Sequence, residues 1–90
     1  MKSNTVKITD NIVVRKGTIF SYAHDQYLIY DIIFEENKYI CKLWRFTVDI
    51  NPLRYLGIKQ EFLNMQINNW TVKKFKEGTY KIICDGNIEN

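Results

Sequence analysis

The chain has 90 residues, with thirteen basic and ten acidic side chains and a net charge of +3. A chain of this length builds one modest core, burying about 60 to 65% of the surface that its unfolded state exposes. Hydrophobic residues at 46% and aromatic residues at 14% exclude a disordered chain. We therefore expect a single domain over residues 1–90, with a core from about residue 5 to residue 84 and frayed ends.

The two cysteines and the N-terminus predict the compartment. Cys41 and Cys84 belong to no CxxC spacing, so a zinc site is not predicted and two free thiols are expected, with a single disulfide as the alternative. Residues 1–10 lack the apolar stretch of a signal peptide, and no window approaches the roughly 20 apolar residues of a membrane span. We expect a soluble, cytoplasmic protein that does not bind membranes.

Strands dominate the first half of the chain. Residues 5–15 alternate loosely and predict one or two short strands, and residues 18–22 predict another. Two runs rich in β-branched and aromatic residues, 26–34 and 38–47, flank the polar corner Glu35-Glu36-Asn37. This arrangement predicts a long β-hairpin with apolar residues on both faces.

The second half predicts a loop, a helix and a closing hairpin. Residues 49–57 are expected to form a loop, because Pro52 cannot donate to a strand ladder. Residues 58–68 predict the one helix, since Ile58, Phe62 and Met65 recur at helical spacing, widened by Leu63 and Ile67. Residues 70–75 and 79–84 then predict two strands around a turn.

The order of elements predicts an α+β fold, either a small antiparallel half-open barrel or a curled sheet, with one helix near the C-terminal third. Residues 16–46, with their Lys-Gly start, apolar strand and long hairpin, resemble the opening of an SH3-like barrel. Residues 58–72, a helix followed by a Trp-containing strand, resemble small uncharacterised proteins encoded by phages and mobile elements. Neither resemblance supplies functional residues.

Cross-strand pairing predicts the two faces of the sheet. A hairpin turning about Glu36-Asn37 pairs Asp31 with Lys42, and a preceding turn at His24-Asp25 pairs Tyr22 with Tyr27. One face is then expected to carry an aromatic set, Tyr22, Tyr27, Phe46, Phe20, Ile29 and Trp44. The other has fewer charges and is expected to be the interior, with Ile19, Tyr30, Leu43, Ile32, Cys41, Phe34 and Tyr39.

The aromatic face is the candidate site, because aromatic side chains on a sheet anchor protein partners or stack nucleic-acid bases. The predicted partner-binding residues are Trp44, Phe46, Tyr22, Tyr27 and Arg45. Many aromatics with mild charge favour a protein partner, such as a host protein bound by a phage or mobile-element protein acting as a counter-defence inhibitor. The alternative is that the helix 58–68 covers this face as ordinary core.

Two other functions stay open at this point. The first is nucleic-acid binding, with bases on the same aromatics and phosphates met by Lys42, Arg45, Lys73, Lys74 and Lys76. The second is a structural or self-associating component, in which the edge 79–84 pairs with its twin. The oligomeric state is not predicted.

Catalysis is not expected. Asp31 has Lys42 as its predicted structural partner, and His24 lies in a turn without further ligands. Neither a Gly-rich phosphate loop nor a nucleophile elbow is present in the sequence. The sequence therefore predicts a non-catalytic binding protein without a metal or a cofactor.

Overall fold

The computed structural model describes residues 5–47 and 61–86. These residues form seven strands and one helix: β1 Thr5–Lys7, β2 Val13–Arg15, β3 Ile19–Tyr22, β4 Asp25–Glu35, β5 Lys38–Thr47, β6 Glu61–Gln66, α1 Asn69–Lys76 and β7 Lys81–Cys84. Five strands form one antiparallel sheet in the order β6-β5-β4-β3-β7, and β1 and β2 form a second sheet. The α+β prediction is confirmed, although the described residues form no closed barrel. The predicted loop 49–57 lies outside them.

The β4–β5 hairpin is the centre of the larger sheet. Its turn lies at Glu36-Asn37, where both φ angles are positive, at 53° and 61°. Such a two-residue turn matches the right-handed twist of the strands that it joins. The predicted pairs from Glu35 with Lys38 to Asp31 with Lys42 are confirmed.

Beyond Asp31 the predicted register is wrong. Tyr30 has no pairing partner across the hairpin and forms a β-bulge, so Ile29 pairs with Leu43 rather than with Trp44. Side chains alternate between the faces of a sheet, so this shift of one residue changes which β5 side chains share a face with those of β4. As a result, Trp44 and Phe46 lie on the face opposite to Tyr27 and Ile29.

The turn before β4 is also displaced. It lies at Ala23-His24, so Asp25 rather than Tyr27 is opposite Tyr22. This slides β4 by two residues along β3, and a two-residue slide leaves every side chain on its predicted face. Only the bulge at Tyr30 therefore moves side chains to a face other than the predicted one.

The two faces of the five-stranded sheet have different surroundings. We call the face toward the helix the core face. Its buried residues pack with the smaller sheet and with α1. The buried apolar residues of this core are Val6, Ile8, Val14, Phe20, Ile29, Ile32, Cys41, Leu43 and Phe75. The opposite, outer face carries a cross-strand row formed by Ile19, Leu28, Trp44 and Phe62.

This division corrects part of the predicted interior. Leu43, Ile32, Cys41, Phe34 and Tyr39 lie on the core face, as expected. Ile19 and Tyr30 lie on the outer face instead, where the Tyr30 ring meets Phe62 edge-on at 5.8 Å. Phe20 and Ile29, which are predicted on the aromatic face, are buried in the core.

The predicted helix over residues 58–68 is wrong where the structure describes it. Residues 61–66 are strand β6, and the helix lies at Asn69–Lys76, where a strand was predicted. The segment also has a two-residue period, since Leu63, Met65 and Ile67 alternate with polar residues. Pairing with β5 selects the strand, because it places Leu63 beside Leu43 and Met65 beside Cys41.

Asn68 caps the N-terminus of helix α1, because its side chain accepts a hydrogen bond from the Thr71 backbone N–H at 3.0 Å. Thr71 and Phe75 share one face of the helix and are both buried. Basic residues in the last turn complement the helix dipole. In the part of the chain that the structure describes, no helix is long and apolar enough to cross a membrane.

The two cysteines are free, as predicted, and have opposite environments. Cys41 is buried in β5, and Cys84 is exposed on β7. Burial raises the pKa of the Cys41 thiol to about 12, since a thiolate would lose its hydration there.

We expect the free energy of unfolding to fall as the pH rises from about 9 toward 12. In this window the unfolded thiol ionises while the folded Cys41 stays neutral, which favours the unfolded state by up to about 1.4 kcal/mol per pH unit. Urea unfolding of the wild type and of Cys41→Ala across this range measures the contribution. The variant should show a shallower loss, and equal slopes would contradict the assignment.

Candidate binding groove

Aromatic rings from the sheet and the helix meet on the core face. Phe20 of β3 stacks on Tyr27 of β4 at 5.1 Å between ring centroids, and Phe75 of α1 meets Phe20 edge-on at 5.3 Å. Tyr80, just before β7, packs against Phe20 at 5.2 Å and against Phe75 at 5.3 Å. Each such ring pair is worth about 0.5–1.5 kcal/mol beyond its buried area. These contacts hold α1 against the sheet.

A groove opens beside these rings, between α1 and β6. Its volume is about 370 Å³, and we call it the aromatic groove, lined by Phe20, Tyr22, Tyr27, Leu43, Leu63, Asn64, Met65, Gln66, Asn68, Trp70, Thr71 and Tyr80. Trp70 is 58% exposed and Tyr22 is 44% exposed. Both rings meet Tyr80 edge-on, at 6.0 Å and 5.3 Å. Mainly apolar walls with a few polar groups are typical of ligand sites.

The side chains that line the aromatic groove carry no formal charge at neutral pH. Polar side-chain groups come from Asn68, Thr71 and the tyrosine hydroxyls. The side chains of Asn64 and Gln66 alternate to the outer face of the sheet. Burial raises the pKa of Tyr80, and the neighbouring Tyr22 and Tyr27 raise it further. The Tyr80 phenol is therefore a neutral hydrogen-bonding group over a wide pH range. This chemistry suits an apolar ligand that brings its own uncharged donors and acceptors.

Arg45 is paired across the strands with Tyr27, which lines the groove, and with Glu61. Its guanidinium forms an ion pair with Glu61 and a longer one with Asp25, at 3.9 Å. The hydrogen bond to Tyr27 does most to raise the pKa of Arg45; the two carboxylates add to this, while burial opposes it. Arg45 therefore makes its main polar contacts within the protein.

The structure divides the predicted binding residues between two surfaces. Tyr22 and Tyr27 line the aromatic groove on the core face, and Arg45 lies on the same face as the cross-strand partner of Tyr27. Trp44 and Phe46 lie on the outer face, where their rings are 5.4 Å apart. The bulge at Tyr30 causes this division. The predicted covering helix is absent from residues 61–68, since β6 extends the outer row instead.

Sequence reasoning missed the helix side of the groove. Trp70 and Tyr80 were assigned to a closing hairpin, and Leu63 and Met65 to a helix. The available signal was Asn68 as a residue type that favours helix starts, with lysines at the other end of the segment. In the predicted helix over residues 58–68, Asn68 is instead the last residue.

The lysines proposed for phosphate contact do not gather on one surface. Lys73, Lys74 and Lys76 lie in the last turn of α1. Lys73 and Lys74 are 3.8 Å and 4.0 Å from the Glu77 carboxylate, and the Lys74 ammonium also lies 5.2 Å from the Trp70 ring centroid. Lys42 pairs across the hairpin with Asp31 on the outer face, so the sheet separates it from the helix lysines.

A second, larger cavity of about 560 Å³ lies near the loop between β1 and β2 and the end of α1. Its lining mixes both signs of charge, with Asp10, Arg15, Lys81 and Asp85. It has fewer aromatic residues in its lining than the aromatic groove, and mainly apolar and aromatic walls are typical of ligand sites. Within residues 5–47 and 61–86, no three His, Cys, Asp or Glu side chains are grouped to hold a metal ion.

Comparisons of this chain with protein-family models, with curated proteins and with solved structures found no match. No relative therefore assigns a ligand or an activity to either cavity.

We expect the two tryptophans to differ in solvent access. In the single-tryptophan variant Trp44→Phe, the emission of the exposed Trp70 should be strongly quenched by acrylamide. In Trp70→Phe, the half-buried Trp44 should be quenched less and emit at shorter wavelength. Equal quenching of the two variants would contradict the placement of Trp70 on the open wall of the groove.

Proposed function

We propose that this protein is a non-catalytic binding protein whose aromatic groove receives an apolar segment of a partner protein. The observation that carries this proposal is the exposed wall formed by Trp70 and Tyr22 around Tyr80. Tryptophan and tyrosine are the side chains most enriched among residues that dominate binding energy at protein interfaces. A partner side chain inserted against these rings would remove apolar surface from water.

The chemistry of the groove favours a polypeptide over a nucleic acid. A nucleic acid presents closely spaced phosphates, which need several free cations nearby. The lining carries no charged side chain, and Arg45, the cross-strand partner of Tyr27, is ion-paired with Glu61 and Asp25. The Asn68 amide and the tyrosine hydroxyls instead match the neutral N–H and C=O groups of a peptide.

The identity of the partner stays a prediction. A host-cell protein bound by a phage or mobile-element protein is the source that the sequence resemblance implies. Affinity purification of the tagged chain from its native cells, followed by mass spectrometry, identifies the partner. The same partner then serves as the ligand in quantitative measurements.

We expect Tyr22→Ala and Trp70→Ala each to weaken binding of that partner about tenfold or more, a loss of about 1.4 kcal/mol. The matched control is Tyr30→Ala, since Tyr30 is 37% exposed, close to the 44% of Tyr22, but lies on the outer face. Isothermal titration calorimetry measures all three affinities. The proposal fails if Tyr30→Ala weakens binding while the groove variants do not.

Nucleic-acid binding by Lys42, Arg45, Lys73, Lys74 and Lys76 stays the alternative prediction. Because these residues are spread over both sides of the sheet, we expect no binding of a single-stranded oligonucleotide near 0.15 M salt. Fluorescence anisotropy with a labelled oligonucleotide tests this. Binding that falls steeply with salt and disappears in Lys73→Glu and Lys76→Glu variants would favour the alternative.

A further inference from the structure

The two edges of the five-stranded sheet differ in their protection against pairing. Strand β7 has four residues, begins with Lys81 and meets β3 through a shift in register. Short length, lysine and irregular pairing are common means of protecting a sheet edge. Strand β6 has six residues, contains neither lysine nor proline, and pairs with β5 without a shift. Among the described residues, no strand pairs with β6 on the side away from β5.

Hydrogen bonds show which backbone groups of β6 point to this unpaired side. Ile67 donates its N–H to the Tyr39 carbonyl of β5 at 2.8 Å. In an antiparallel ladder the direction alternates, so Phe62, Asn64 and Gln66 point away from β5. The Gln66 carbonyl agrees, since it accepts from the Thr71 hydroxyl at 2.7 Å. Phe62 and Asn64 therefore present two N–H and two C=O groups at the edge.

We propose that a second copy of this chain occupies this edge, with the two β6 strands antiparallel about a two-fold axis at Leu63. In this register Phe62 of each copy is opposite Asn64 of the other, so the outward donors and acceptors satisfy one another in four hydrogen bonds. Leu63 meets its own counterpart on the core face. The aromatic grooves of the two copies then lie side by side across the axis, because Leu63 lines both.

Charge supports a second copy as the occupant. Glu61 is the only charged residue of β6, and it forms an ion pair with Arg45. In the proposed register it faces the second copy's Met65, so no like charges meet at the interface although each chain carries +3. Pairing also shields Phe62, which at 70% is the most exposed large apolar side chain of the described residues.

The expected dimer is reversible. Stable interfaces commonly bury about 1,200–2,000 Å² in total, and one pair of short strands covers less. Sedimentation velocity from about 10 µM to about 1 mM should therefore show a monomer that converts to a dimer as concentration rises. Amide exchange at Phe62 and Asn64 should slow over the same range, while the amides of β7 stay unchanged.

Three variants test the register. Asn64→Pro removes an outward N–H that β5 does not use, so the monomer should fold and the dimer should be lost. Leu63→Glu and Leu63→Lys place like charges at the axis, so each should be monomeric alone. An equimolar mixture of these two should restore the dimer, since opposite charges then meet. Thermal unfolding and circular dichroism confirm that each variant is folded.

Other results overturn the proposal. A wild type that stays monomeric to about 1 mM excludes the second copy as occupant. The proposal is then wrong even if a strand of another protein binds the β6 edge. A dimer that persists in both Asn64→Pro and Leu63→Glu places the interface elsewhere. Failure of the Leu63→Glu and Leu63→Lys mixture to dimerise, with both variants folded, rejects the two-fold axis at Leu63.

Discussion

The packing of Phe75 and Tyr80 against Phe20 is the contact on which the described architecture depends. Helix α1 has eight residues, too few to be stable alone, so its position comes from the buried Phe75 and Thr71. Phe20 is 1% exposed in the sheet below. Fixing the helix there also fixes Trp70 at its start, and Trp70 forms one wall of the aromatic groove. The same contact thus stabilises the core and shapes the site.

Sequence reasoning succeeded where one local feature decided the structure. The polar corner at Glu36-Asn37 and the opposite charges of Asp31 and Lys42 specified the hairpin and its register near the turn. It failed at Tyr30, because both strands are apolar on both faces there and either register buries hydrophobic side chains. No glycine marks the bulge. The correct register depends on pairing with β3 and β6, which local patterns do not show.

The exchange of helix and strand in the second half has a similar cause. Residues 61–67 fit a helical and an alternating pattern equally well, and β5 decides between them by offering Cys41 and Leu43 as partners. Asn68 then serves as a helix start rather than a stop. As a result the structure places two of the predicted binding residues, Tyr22 and Tyr27, in the groove, while its other wall comes from residues that the sequence predicts in other elements.

The bulge at Tyr30 also has a meaning for how this chain could change over generations. On one side of Tyr30 the tight turn sets the register of the hairpin, and on the other side the pairing with the neighbouring strands sets it. The unpaired Tyr30 accounts for the difference of one residue between these two registers. Loss of its codon would leave a regular ladder in which Ile29 and Ile32 keep their buried places. Deletion at this position therefore shortens β4 by one residue and leaves the other side chains of the hairpin on their present faces.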